Sequence, residues 1–384
     1  MMRELYLRLR NEEGMVLYEG KAGPPEEQET HVRQKRNTIN DQHWNLQWSL
    51  QPVVHPPMDV YDSWSRGYTG KGVVIGIVDG GTDPDHIDLV DNFDVYNSYD
   101  YVNDRGNTEL DVGFYGNGVE CAGLAVAQDN TECIIGVAHD AKYVAIKVLT
   151  GVPGVVPEDT LVSKGLSHRR DFVDIYSNSW GPIDDGFTLD DNDTMGTLTQ
   201  KALLDGVTMG RDGKGSIFLF ATGIGGNVGD NCNANGYMSS PYIIAIGSSN
   251  NQGQINVEEE LCSAKFAVTY GGHFAQPVPT TSDGDACTGS FNGSFAATPI
   301  AAGIIALVLE ANNNLTWRDI QHLIVETALP FPGYKYTANG GGHYANDVHG
   351  FGLMNAKAMI KAAKTWTSVG EMLTCYGDLE TPDE

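Results

Sequence analysis

Five short runs set the strongest limit on what this chain can fold into. VVIGIVD (Val73–Asp79), KYVAIKVL (Lys142–Leu149), FVDIYSNSW (Phe172–Trp180), GSIFLFATG (Gly215–Gly223) and YIIAIGSS (Tyr242–Ser249) are apolar along most of their length. A strand with one wet face alternates apolar and polar residues. A strand covered on both faces does not, so these runs read as a buried parallel sheet. Segments between them, such as TMGTLTQKALLDGVTMG, space their apolar residues as a helix does. The expected fold class is α/β, a doubly wound parallel sheet in three layers. A site in such a sheet lies beyond the carboxyl ends of the strands. Asp79, Trp180 with Gly181, and Gly223 to Gly226 all fall at such ends.

Charge narrows the partners. The 384 residues carry 50 Asp and Glu against 24 Lys and Arg, a net charge of −26. That excess argues against nucleic acid, which needs a basic surface, and favours metal cations or basic peptides. No run of 18 apolar residues is free of polar breaks, so no transmembrane segment is expected. The N-terminal MMRELYLRLRNEEGMVLYEG lacks the apolar core of a signal peptide. Residues 1–36 read as a separate polar linker or residual propeptide. It ends in Arg33-Gln34-Lys35-Arg36, a candidate processing site for a protease that reads paired basic residues. Six cysteines are present without a C-x-x-C pair, which speaks against a zinc site, and 15 full pairings stay open.

FNGSFAATPIAAGIIALVLEA (Phe291–Ala311) reads as a glycine turn feeding a buried helix, with Pro299 suited to the first helical turn. A tight loop that lifts one side chain at a helix start is a way to expose a catalytic hydroxyl. Four residues before the proline, however, stands Phe295.

Taken in order, GYTGKGVVIGIVDGGTDPDHIDL, SNSWGPIDDG, GRDGKGSIFLFATGIGG and AAGIIALVLEANNNLTWRDIQHLIVETA resemble the subtilases, and within them the kexin and furin branch of proprotein convertases. The resemblance covers roughly Asp41 to Thr374. It implies a subtilisin-like peptidase domain over residues 37–384, with no counterpart of the downstream β-domain of convertases. It also assigns the catalytic positions. The aspartate falls on Asp79. The histidine of H-G-T-x-C-A-G falls on Asn117 in NGVECAG. The serine of G-T-S-A-x-x-P falls on Phe295 in GSFAATP. The oxyanion-hole asparagine falls on Ile224 in ATGIGG. Phe295 offers no nucleophilic atom, the Asn117 amide is no base near neutral pH, and Ile224 has no side-chain donor. Removing nucleophile or base from a protease of this fold costs about 10⁶ in kcat, and losing the oxyanion asparagine roughly 10²–10³. Ser294 fills the threonine position of the motif, one residue and about 100° of helix turn away from the nucleophile. His86 and His139, the other candidate bases, read as structural. Phe295 and Ile224 flank one small space and are expected to pack on each other and close it.

The same resemblance implies calcium. One site falls on Asp184, Asp230 and Glu260; a second falls on Asp41 and Asp88 beside the loop AQDNTEC. The substrate cleft falls on Ser179, Trp180, Gly181, Asp184 and Asp190. The acid on the pocket floor is replaced by Asn235, and an acid beside the catalytic aspartate by Gly80, which weakens selection for arginine. Disulfides are implied between Cys232 and Cys262 and between Cys133 and Cys287, with Cys121 free and Cys375 in the tail. These, with N-x-[ST] sequons at Asn192, Asn292 and Asn314, imply the secretory pathway or the extracellular space. The expected function is a catalytically inactive pseudoprotease that binds basic peptides or protein segments. The alternative is a calcium-dependent serine endopeptidase of the proprotein-processing type.

Overall fold

The computed structural model describes residues 39–373 apart from 107, 110–115, 153–154, 156, 185 and 187–194, together with the backbone of 6–10 and 16–21. The latter form an antiparallel pair, β1 (Tyr6–Arg10) and β2 (Val16–Lys21). Helix α1 (Val60–Ser65) precedes a seven-stranded sheet of β3 (Val74–Asp79), β4 (Tyr99–Asp100), β5 (Lys142–Lys147), β6 (Ile175–Asn178), β7 (Ile217–Ala221), β8 (Ile243–Ser248) and β9 (Lys265–Thr269). Their order is β4-β5-β3-β6-β7-β8-β9, and every pairing is parallel. The chain leaves β3 toward β5 on one side and later returns to pair β6 on the other. The topological switch therefore lies at the carboxyl end of β3, where Asp79 stands.

Period-two alternation sorts each strand between two cores. Ile75, Ile77, Ile217 and Leu219 face one; Val74, Val78, Phe218 and Phe220 face the other. Helices α3 (Asp159–Leu166) and α4 (Thr197–Met209) cover the second face through Val162, Leu166, Leu203 and Val207. On the first face lie α2 (Gly118–Val126), α5 (Ser294–Ala311), α6 (Trp317–Thr327) and α7 (Ala356–Ala363). Between β9 and α5 runs a hairpin of β10 (Val278–Ser282) and β11 (Ala286–Phe291). The three layers expected from the five apolar runs are present.

Two readings are corrected. Helix α5 begins at Ser294, so Pro299 is its sixth residue, not part of the first turn. The helix tolerates it because the carbonyl that the missing N–H would have bonded, that of Phe295, accepts hydrogen bonds from Ser179 Oγ at 2.9 Å and Cys121 Sγ at 3.7 Å. Strand β9, not expected from the sequence, opens on Lys265. Its Nζ is wholly buried and donates to Glu259 Oε1 (3.2 Å) and to the carbonyls of Glu260 (2.8 Å) and Val348 (3.2 Å). Helix α5 is long and apolar enough to cross a membrane, but 83% of that stretch is buried inside the protein as the central core helix.

Candidate functional site

Asp79 ends β3 and is 1% exposed. Its Oδ1 accepts the N–H groups of Gly80 (2.7 Å) and Asn117 (3.1 Å). Its Oδ2 is buried with no hydrogen-bond partner among the described residues. Burial, with a smaller contribution from the charge of Glu120, pushes this carboxyl up to about 7. Asn117 precedes α2, and its side chain makes no capping bond there. Close packing fixes the approach: a Cβ on Gly118 would lie 1.8 Å from the Gly81 carbonyl oxygen. Three residues on, the half-buried Glu120 accepts a hydrogen bond from Ser282 Oγ at 3.3 Å. The sequence reading passed over Glu120; its spacing of three from Asn117, on a helix, was the available signal.

Gly293 turns the chain into α5 at φ +83° and ψ −169°, a conformation essentially reserved for glycine. Ser294 follows, wholly buried, and its Oγ donates to the Gly223 carbonyl at 3.1 Å. That hydroxyl ties the start of α5 to the end of β7 and is not available to attack a substrate. Phe295 comes next and is half-buried. The structure thus joins the four positions assigned by resemblance. Asn117 holds Asp79, Phe295 is held from α2 and from the end of β6, and Ser294 is held to the segment carrying Ile224. Ile224, expected to pack on Phe295 and close the space, stays 39% exposed, so it is not sealed from solvent. Its N–H is drawn to Asp184 Oδ2 at 2.7 Å, which ties its backbone to the acidic cluster below. His86 is fully buried, its Nδ1 accepting from the Asp88 N–H (3.1 Å) and its Nε2 bonded to the Ala286 carbonyl (3.1 Å). His139 packs edge-on against Trp64 of α1.

Of the cleft residues, Ser179 and Gly181 lie beyond β6, and a Cβ on Gly181 would sit 3.6 Å from Asn235 Nδ2. Asn235 therefore faces the Gly181 wall. The Trp180 ring is a core residue, not a cleft wall. It is 6% exposed, donates to the Val78 carbonyl at 2.8 Å, and meets Phe220 and Tyr237 edge-on. Asp190, Arg33 to Arg36, Asn192 and Cys375 lie outside the described residues. Disulfides join Cys133 to Cys287 and Cys232 to Cys262, and Cys121 is free and buried.

The acids gather as expected. Carboxylate oxygens of Asp184, Asp230 and Glu260 lie within 4.8 Å of one another. Burial, then the charges of Asp184 and Asp230, push Glu260 up to about 8. The backbone leaves no slack: a Cβ on Gly225 would come within 2.5 Å of Asp230 Cβ and 2.8 Å of Asp184 Cβ. On Gly223 it would meet Glu260 Oε1 at 2.1 Å. Three hard oxygen donors in a glycine cradle, repelling one another, suit calcium. At the second position Asp41 Oδ1 accepts the Asn130 N–H (3.3 Å), and Asp88 accepts from Asn130 Nδ2 (2.9 Å) and the Ile134 N–H (3.1 Å). Asp41 Oδ2 is buried without a partner among the described residues, and burial, with Asp129 and Asp88 nearby, pushes its carboxyl up to about 7. An unpaired buried carboxylate oxygen there also fits a cation.

Residues 70–352 match the Subtilase family. Over 347 residues the chain is 39% identical to furin-like protease 1, isoform 1-CRR, of Drosophila melanogaster, covering 88% of this chain and 31% of that protein. It is 38% identical to proprotein convertase subtilisin/kexin type 6 of Rattus norvegicus (91% and 39%) and 37% identical to furin of Homo sapiens (93% and 45%). The chain thus spans less than half the length of these relatives. In fold it is similar to the serine protease of Aeromonas sobria, with a TM-score of 0.77 at 17% identity, covering 90% of this chain and 72% of that one. A protease of Pseudoalteromonas arctica gives 0.69 at 21%, covering 85% and 99%.

Proposed function

Because the chain belongs to the subtilase family, on its furin-like branch, we propose that it is a pseudoprotease: a convertase-like domain that binds basic peptides or protein segments without cleaving them. The observation that carries this reading is Phe295 at the nucleophile position, with the neighbouring hydroxyl of Ser294 buried against Gly223. Asn117 in place of a base and Ile224 in place of the oxyanion donor support it. Retention of the two disulfides, the glycine cradle and all five calcium acids speaks for a maintained binding protein, since a decaying relic loses such residues as readily as catalytic ones. The disulfides further support an oxidising secretory or extracellular setting.

In this reading calcium is held by Asp184, Asp230 and Glu260, and a second ion by Asp41 and Asp88 with the Asn130 loop. Bound there, it would neutralise the clustered carboxylates and stiffen the pocket wall. Asn235 leaves the floor uncharged, so a single arginine is held less tightly than by an acidic floor.

The test is hydrolysis of fluorogenic Arg-X-Lys-Arg peptides by the purified chain with calcium, expected at the level of the blank. The competing reading, a calcium-dependent serine endopeptidase, has Asp79 and the acidic clusters in its favour. Calcium-dependent cleavage abolished by Asp79→Ala would establish that reading instead.

A further inference from the structure

Carboxylates surround the corner to which the family resemblance assigns a histidine. Asn117 is the residue before α2, and Glu120 follows three positions later in its first turn. This start of the helix meets Asp79 through the Asn117 N–H and the β10–β11 hairpin through Glu120 and Ser282. Thr280 and Thr281 of β10 clamp the same turn, their hydroxyls donating to the carbonyls of Glu120 and Val119, each at 2.7 Å. The charged groups bearing on Asp79 and Glu120 are themselves carboxylates, Glu120 for the first and Asp283 for the second. At the hairpin tip the rim continues: the Gly284 N–H donates to Asp83 Oδ2 (2.9 Å) and the Ile87 N–H to Asp285 Oδ1 (2.7 Å). An acidic rim alone is a solvated surface. This one ends at Asp79 Oδ2, an oxygen wholly buried and without a donor among the described residues, beside a position where Asn117 is shorter than an imidazole.

The rim lies on the opposite side of Asp79 from the specificity pocket. Strands β6 and β7, whose carboxyl ends lead into Ser179 and Gly223, flank β3 on one side; β5 flanks it on the other, and α2 packs beside the hairpin. In the peptide-binding reading, a peptide with its upstream residues in the pocket would pass Phe295 and carry its downstream part toward Glu120. We infer that this rim is a subsite for a basic side chain, an ammonium or guanidinium supplied by the downstream part of a bound peptide and donating to Glu120 and toward Asp79. The inference rests on the peptide-binding reading above. It relocates the charge selection that Asn235 and Gly80 no longer supply.

The test is fluorescence anisotropy on the purified full chain with calcium. Two labelled peptides share Arg-Val-Lys-Arg upstream and continue as Ser-Lys-Lys or Ser-Ala-Ala. The lysine peptide is expected to bind about tenfold more tightly, the scale of one charge-assisted hydrogen-bonded pair. Glu120→Gln should shrink the ratio to about twofold or less and leave the alanine peptide unchanged, with an unaltered melting temperature verifying the fold. Asp171→Asn, at an exposed acid near the amino end of β6, should leave the ratio intact. Equal binding of both peptides overturns the inference and spares the peptide-binding reading. Equal losses in Glu120→Gln and Asp171→Asn also overturn it, because the preference is then diffuse attraction to net charge. If neither peptide binds, the peptide-binding reading falls and takes the inference with it.

Discussion

A carboxyl group buried with one oxygen unpaired destabilises a fold by an amount that depends on pH. Asp79 is such a group, raised to about 7 against an ordinary value near 4. The folded chain holds this proton more tightly than the unfolded chain does. The stability it confers is complete below about pH 4 and is lost as pH rises to about 7. Asp79→Asn carries no charge to desolvate. Its melting temperature should match the parent near pH 4.5 and exceed it by several degrees at pH 8; a constant difference across that range would refute the assignment. Asn117→His should act on the same oxygen from the other side, by supplying a donor to Oδ2. The new imidazole, followed by NMR, should titrate above its ordinary value of about 6.5. On the proposed reading the change should restore no cleavage while Phe295 remains.

At the scale of elements, what could be read from sequence was whatever physics writes locally. The five apolar runs are strands because both faces are covered, and each contains one of β3, β5, β6, β7 and β8. FVDIYSNSW was read too long: only Ile175–Asn178 pairs, since the Phe172 and Val173 N–H groups bond back to Arg169 and the Trp180 ring turns into the core. Strand β4 has two residues, too few to show a pattern, and nothing local in KFAVT says that the Lys265 of β9 is buried. The site was legible by position through resemblance, while its hydrogen bonds were not. Nothing local says that Ser179 would serve the Phe295 carbonyl, or that Ile224 would be held at Asp184. The turn after β7 yields a prediction of its own. Gly225→Ala places a methyl group against Asp184 and Asp230, and the acids must part. Calcium-dependent stabilisation should fall sharply in that variant, measured as the melting shift on adding calcium. An unchanged shift would show that the turn does not shape the site.

For the molecule as a whole, a cation that binds only the folded state adds RT ln(1 + [L]/Kd), about 2.7 kcal/mol at a hundredfold excess over Kd. Chelation should therefore lower the melting temperature by roughly 5 °C, and by less in Asp230→Ala. A melting curve indifferent to chelator would remove calcium from the account. Processing is a second whole-chain property. On the proposed reading the chain does not cut itself and is cut in trans, so co-expression with an active convertase should give a product starting at Asn37; a chain still beginning before Arg33 counts against it. The Cys133–Cys287 bridge spans 154 positions and gives the protein a mechanical asymmetry. Pulled from its ends, the chain can transmit tension through β3, Asn117 and α5, but not into the loop between the two cysteines. Strands β5 to β8 and the acids at 184, 230 and 260 sit inside that lock, with roughly 50 nm of contour withheld at about 3.5 Å per residue. Force would pull Asp79 from the sheet and Phe295 from α5 first and leave the acidic cluster unloaded. A force-extension trace should gain that hidden length only when reductant is present.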